Sequence, residues 1–370
     1  MNQPFGLVRW RPVGIAASVL ATFALAPSAG AAEKLSVEIG GEYTQYFGYV
    51  DNDTNSGDFT GFDVKTDGTI VFGGEITLDN GLSFGMEVGL DAMSSGGDQI
   101  DGSILYVESS AGRLEIGQTD TVAALMHYSA PDVGYGINDS DISDWVVNLS
   151  GGDADSAFQS TYLYLGEDQA SKINYFTPRF SGFQFGVSYI PEFERDNNVQ
   201  PAGDLYSDGI AFGANFVEEF GGVEVAVAAG YLFADKPDGV GAAGNDAEGY
   251  SFGANLTYAG FTVGGSYANT QGNPGGGTDT ATSFDGDGFD IGVAYAFGDA
   301  SVSLSYYQGS VEDSVATAGD SDHNTIMLSG AYDLGPGVTA LGSIFRSEFE
   351  ADSGADNEGW AVVTGITLEF

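Results

Sequence analysis

The stretch "YFTPRFSGFQFGVSYIP" (Tyr175–Pro191) shows most plainly how this chain is built. After Ser181-Gly182, the residues Phe183, Phe185, Val187 and Tyr189 are large and apolar, while Gln184, Gly186 and Ser188 between them are polar or small. A period of two is the spacing of a β-strand with one face kept out of water. Ser181-Gly182 supplies the positive φ that a two-residue hairpin turn needs. Alternation alone leaves open whether the apolar face meets a protein core or lipid.

Outward from this hairpin the same pattern marks sixteen strands, near 35–49, 61–78, 82–92, 100–109, 113–118, 171–180, 183–191, 209–219, 222–233, 249–258, 261–268, 287–297, 300–308, 322–333, 338–348 and 358–370. Tight turns such as Asp79-Asn80-Gly81, Ala259-Gly260 and Gly335-Pro336-Gly337 alternate with long loops. That order predicts an up-and-down antiparallel barrel. A ring of sixteen strands is too wide for side chains to fill. An apolar face turned inward would leave it hollow, whereas an apolar face turned to lipid leaves a wet lumen. Aromatics at strand ends (Tyr189, Tyr250, Tyr258, Trp360, Phe370) match interfacial girdles. A soluble two-sheet sandwich also alternates, but has no need of sixteen strands with strictly alternating loop lengths. The expected fold is all-β, a 16-stranded antiparallel transmembrane β-barrel.

Arg9 and Arg11, the apolar run from Val13 to Ala26 and the string Ala29-Gly30-Ala31-Ala32 form the three parts of a secretory signal peptide. The expectation is a leader over residues 1–32 and one barrel domain over 33–370. The net charge is −43, and all 53 acidic residues follow the leader. A chain so acidic has no counterion-displacing surface for nucleic acid. It contains no cysteine, which excludes disulfides and thiolate metal sites. The 57 glycines sit within alternating aromatic runs, which disordered Gly-rich chains lack.

The hairpin resembles the Tyr-x-Ser/Thr-Pro-x-Phe-x-Gly-Phe hairpin of Gram-negative general porins, particularly the alphaproteobacterial, Rhodobacter-like type. "GRLEIGQTD" (Gly112–Asp120) is similar to the segment that leads those proteins into their constriction loop, and Ile366, Leu368 and Phe370 resemble the C-terminal signature of outer-membrane barrels. Gln118 stands where the family segment often has Arg, which thins the expected basic wall. The resemblance implies a homotrimer in the outer membrane of a Gram-negative bacterium, with the third long loop folded inside each barrel. Its partners would be outer-membrane lipid, small hydrophilic solutes and cations.

That third loop, 119–170, is much the longest connection, and loops of such length usually have a task. It carries nine acids, no Lys or Arg, and an apolar set that includes Tyr135, Ile137 and Trp145. Folded inward, it would narrow the lumen; the alternative is an extracellular flap. The expected acidic constriction is Asp132, Asp139, Asp141, Asp144, Asp153 and Asp155, with Glu38 and Glu42 on the first strand. Lys65, Arg113 and Lys172 would form the opposing basic wall; for Arg113 and Lys172 the alternative is ion pairs near the turns. Carboxylates in a narrow passage favour cations. No cofactor is expected, though Asp139, Asp141 and Asp144 in "INDSDISD" (Ile137–Asp144) offer oxygens of the kind Ca²⁺ takes. A solvated acidic turn is the favoured reading of them. "NPGGGTD" (Asn273–Asp279) occurs once and carries no calcium-repeat signal.

Two other function classes fit the residues less well. A structural or adhesive barrel would have a closed lumen, whereas Gly186, Ser188, Gly213, Gly253, Gly264, Ser266, Gly292 and Ser303 suggest an open bore. A lipid hydrolase would need a Ser-His-acid set, and His127 and His323 lie beside no nucleophile motif. The expectation is a non-enzymatic outer-membrane porin with cation preference.

Overall fold

In a computed structural model, residues 35–53, 59–92, 99–138, 140–148, 160–163, 170–193, 206–235, 246–272, 285–312, 320–351 and 356–370 are described. The proposed leader and the Asn273–Asp279 string lie outside these residues. The strands are β1 (Glu38–Asp53), β2 (Phe62–Thr77), β3 (Ser83–Asp91), β4 (Ile100–Ser109), β5 (Gly112–Gln118), β6 (Ser171–Phe176), β7 (Phe183–Glu192) and β8 (Ser207–Phe220). They continue as β9 (Val223–Asp235), β10 (Ala247–Tyr258), β11 (Phe261–Gln271), β12 (Gly286–Phe297), β13 (Ala300–Glu312), β14 (Asp320–Gly335), β15 (Val338–Ala351) and β16 (Asn357–Glu369). Each strand pairs antiparallel with its sequence neighbours, and β1 with β16 closes the ring. One helical turn, α1 (Val122–Leu125), and a 3-10 turn, Ser140–Asp144, lie between β5 and β6. No helix among the described residues is long and apolar enough to cross a membrane.

The quoted hairpin has the expected turn. Ser181 has φ 47° and Gly182 φ 82°, and Phe180 and Phe183 exchange backbone bonds of 2.7 and 2.9 Å. β6 ends at Phe176, four residues short of the expected boundary, because Pro178 has no N–H to give the ladder. Several strands instead run past their expected loop ends, β13 to Glu312 and β15 to Ala351. Above the lipid, backbone pairing continues after the apolar partner of the alternation has gone, so periodicity ends before the ladder does.

Phe185 is 54 % exposed and Ser188 fully buried, on opposite faces of the same strand. The exposed face carries Leu105, Phe212, Phe252, Leu256, Ile291, Leu304, Leu328 and Ile344 around the ring. Ring pairs such as Tyr49–Trp360 at 5.8 Å and Phe261–Tyr295 at 4.1 Å bound this belt at the loop and turn ends. Such a belt is what lipid-facing strands require.

The core lies inside the ring. Tyr46, Val50, Tyr307, Met327, Phe345 and Phe349 point inward and pack on Tyr135, Ile137, Ile142, Trp145 and Val146 of the β5–β6 loop. A second cluster joins Val122, Ala123, Met126 and Leu163 to Ile190, Ala211 and Leu232. The inward face is therefore apolar at these two patches under the loop.

Candidate functional site: the loop inside the barrel

The loop starts where β5 ends. Lys172 Nζ donates to the Thr119 carbonyl, and Asn174 Nδ2 donates to the Asp120 carbonyl at 2.8 Å. Thr121 caps α1, its Oγ1 accepting from Ala124 N at 3.4 Å. Val122 N donates to Ser188 Oγ at 2.8 Å, which seats the turn on β7. Side chains at Gly186 or Gly213 would collide here: a Cβ on Gly186 would come 2.8 Å from Val122 Cβ.

From α1 the chain runs along the inner wall, tied at alternate residues to hydroxyls. Ser305 Oγ donates to the Pro131 carbonyl at 3.0 Å. Val133 N donates to Ser303 Oγ at 3.1 Å, and Tyr135 N to Ser343 Oγ at 3.0 Å. Tyr135 stands edge-on to Tyr46 at 5.0 Å and parallel to Phe345 at 6.1 Å. Burial, then the nearby Asp141 and Asp144, push its phenol well above the usual range. Farther on, Val147 N donates to Asn52 Oδ1 at 3.0 Å, and Asn357 Nδ2 to the Val147 carbonyl at 2.7 Å.

Most of the small residues taken as signs of an open bore have a different use. Gly186, Ser188, Gly213, Gly253, Ser266, Gly292 and Ser303 lie against the loop, giving it clearance or hydrogen bonds. Gly264 instead makes room for the Asn255 side chain. The loop is thus seated on the arc from β6 round to β1, and β2–β5 form the remaining wall.

That wall is charged. Its inward face carries Lys65, Asp67 and Glu75 on β2, Glu87 on β3, Glu108 on β4, and Arg113 and Glu115 on β5. Arg113 lies 2.7 Å from Glu115, 3.6 Å from Glu108 and 3.8 Å from Glu87, with its guanidinium 3.8 Å from the Tyr106 ring centre. Tyr106 donates in turn to Glu75 at 3.1 Å. Acids surround the cation.

Among the residues expected at a constriction, Asp132 and Asp141 are half-buried on the loop and Asp144 is exposed. Asp132 Oδ1 accepts from Gly134 N at 2.9 Å and Ser303 Oγ at 3.3 Å. Asp139, Asp153 and Asp155 lie outside the described residues. Glu38 and Glu42 stand toward the turn end of β1, beyond Tyr46, where the loop's apolar cluster begins. Lys65 Nζ bonds Asp63 at 2.8 Å and lies 5.0 Å from the Trp145 ring centre, at the loop's far edge. Lys172 is buried under the loop's root. Arg113 is ion-paired to its acidic neighbours and Lys65 to Asp63, and Lys172 donates to the loop's first carbonyl. For calcium, no three acidic or His side chains among the described residues gather as a metal would require.

Sequence reasoning missed the loop's strongest fastening. Asp290 of β12 is 3 % exposed and accepts from Ala130 N at 2.7 Å, Asn138 Nδ2 at 2.7 Å, Ser266 Oγ at 2.6 Å and Thr161 Oγ1 at 3.1 Å. Its signal was a carboxylate in mid-strand on a face otherwise held by Gly288 and Gly292. Among the described residues, His323 Nε2 lies 3.1 Å from Ser347 Oγ with both side chains buried, and His323 Nδ1 has no hydrogen-bond partner.

No curated protein matches the chain in sequence. Among solved structures, a porin refined at 1.8 Å resolution, from Rhodobacter capsulatus, superposes with TM-score 0.60 at 20 % identity, over 90 % of this chain and 100 % of that one. The outer-membrane channel DcaP of Acinetobacter baumannii gives 0.60 at 12 %, over 93 % and 100 %. The trimer form of OmpT, an outer membrane protein of Vibrio cholerae, gives 0.59 at 14 %, over 91 % and 100 %. At these identities the likeness is one of fold. A family profile described as Gram-negative porin matches residues 16–352. The chain with a loop-lined barrel interior therefore belongs to the Gram-negative porin family, and its place is the outer membrane.

Proposed function

We propose that this porin is a cation-preferring diffusion channel for small hydrophilic solutes, assembled as a homotrimer, with no catalytic chemistry of its own. One observation carries the reading. The inward face of β2–β5 carries more carboxylates than cations, and each of its cations is paired with an acid. Inward carboxylates on β2–β5, Asp67, Glu75, Glu87, Glu108 and Glu115 among them, share their face with Lys65 and Arg113. Arg113 itself has three carboxylates within 4 Å. Fixed negative charge in a narrow aqueous passage concentrates cations and excludes anions. The trimer reading draws on the trimeric neighbour and on the family resemblance.

The test is reversal potential across a planar bilayer holding the purified protein in a KCl gradient. Conductance steps with a potential on the K⁺-selective side are the expected result, in groups of three for a trimer. Steps without selectivity would keep the channel and remove the charge argument. Folded protein without conductance would favour a closed barrel.

A further inference from the structure

The acidic groups named above border the lumen, but Asp290 does not meet it, and its bonds reach three separate parts of the loop. Ala130 belongs to the outgoing limb, Asn138 to the approach to the loop's tip, and Thr161 to the returning limb. Ser266 of β11 adds a donor from the wall. We propose that Asp290 is the positioning residue that sets where the loop lies, and hence the conductance of the bore. This rests on the loop being the constriction.

The chemistry favours a carboxylate over any neutral side chain. Four donors converge, and a carboxylate alone among small side chains offers two oxygens with about four acceptor sites and no hydrogen of its own. No cation pairs with Asp290 among the described residues, so burying its charge is tolerable only while the donors stay in place. Leaving the wall would therefore strand the charge, so the loop is held there. Asn138 extends the hold: its Nδ2 donates to Asp290 Oδ2 at 2.7 Å while its Oδ1 accepts from Thr161 N at 2.7 Å. One amide thus ties the outgoing limb to the returning one. The other distal fastening, Asn52 and Asn357, uses neutral amides alone.

This arrangement can be exchanged. In the double variant N138D/D290N, the carboxylate introduced at position 138 accepts from Thr161 N and from the amide introduced at position 290. The oxygen of that amide still accepts from Ala130 N. Charge and donor count are both kept. The two single variants separate bonding from charge, because D290N removes the charge and N138A removes the Asn138 side-chain bonds while leaving the charge in place.

The experiment records single-channel conductance and open-channel noise for wild type, D290N, N138A and the exchange, each checked for folding by heat-modifiable migration in detergent gels. Wild-type conductance tests the reading of the chain as a channel; the variants test the role of Asp290. The expected result is a change of about twofold in conductance, with added noise, for D290N and N138A, and wild-type behaviour for the exchange. Unchanged traces in a folded N138A would overturn the proposal, since altered D290N alone would then report charge and not position. An exchange variant that fails to fold, or folds without recovering wild-type conductance, overturns it as well. If D290N does not fold, N138A and the exchange still decide.

Discussion

The inner wall divides into two unlike arcs. From β6 round to β1, most inward side chains are small, hydroxylated or apolar, with Asp290 a buried exception, and a loop distant in sequence from much of that wall lies on them. From β2 to β5 the inward face is charged, with Glu75, Tyr106, Arg113, Glu87, Glu108 and Glu115 in one cluster. The outer face shows no such division and is apolar around the ring. Lipid imposes one requirement on every strand. The interior imposes two, because part of it binds protein and part of it meets water.

Unseating the loop while sparing the barrel puts this contrast under the greatest load. Trp145→Ala removes a fully buried side chain from the inner cluster and should weaken loop seating by about 3–5 kcal/mol. The ring should still close, so altered conductance in a heat-modifiable, folded protein is expected. Loss of the barrel itself would mean that wall and loop are one folding unit. A change on the other face tests the lipid side: Val187→Arg should cost about 2–4 kcal/mol near the bilayer midplane, read as lowered folding yield in liposomes. Wild-type yield would show that this face is covered by protein.

Charge comes next. Neutralising Asp139, Asp141 and Asp144 together should move reversal potential toward zero, from a ceiling of about 59 mV per tenfold gradient for a perfectly selective pore. Unchanged selectivity in the folded triple variant would assign ion preference to β2–β5 instead. Arg113→Gln should shift the potential the other way by a smaller amount, because it leaves three neighbouring carboxylates without their cation. The smallest effect belongs to Ser343→Ala, which deletes the acceptor for Tyr135 N and should cost about 0.5–1.5 kcal/mol in thermal stability.

Phe183, Phe185, Val187 and Tyr189, with Gln184, Gly186 and Ser188 between them, made the strand, its faces and its turn readable, and repetition of that pattern made the barrel readable. Each of those properties depends on residues one or two positions apart, meeting a lipid that treats every strand alike. Tyr46, Tyr307, Met327, Phe345 and Phe349 break the alternation by being apolar on the lumen side, and no local pattern says why. Asp290 likewise reads as one more lumenal acid until Ala130, Asn138 and Thr161 arrive beside it. A sixteen-stranded membrane barrel with a long acidic loop was thus legible in the residues alone, because period-two alternation is local and the membrane is uniform. Which lumenal residues hold the loop, and which are left to face water, emerges only in the folded chain. That division depends on contacts between segments separated by up to about two hundred residues, which no local pattern records.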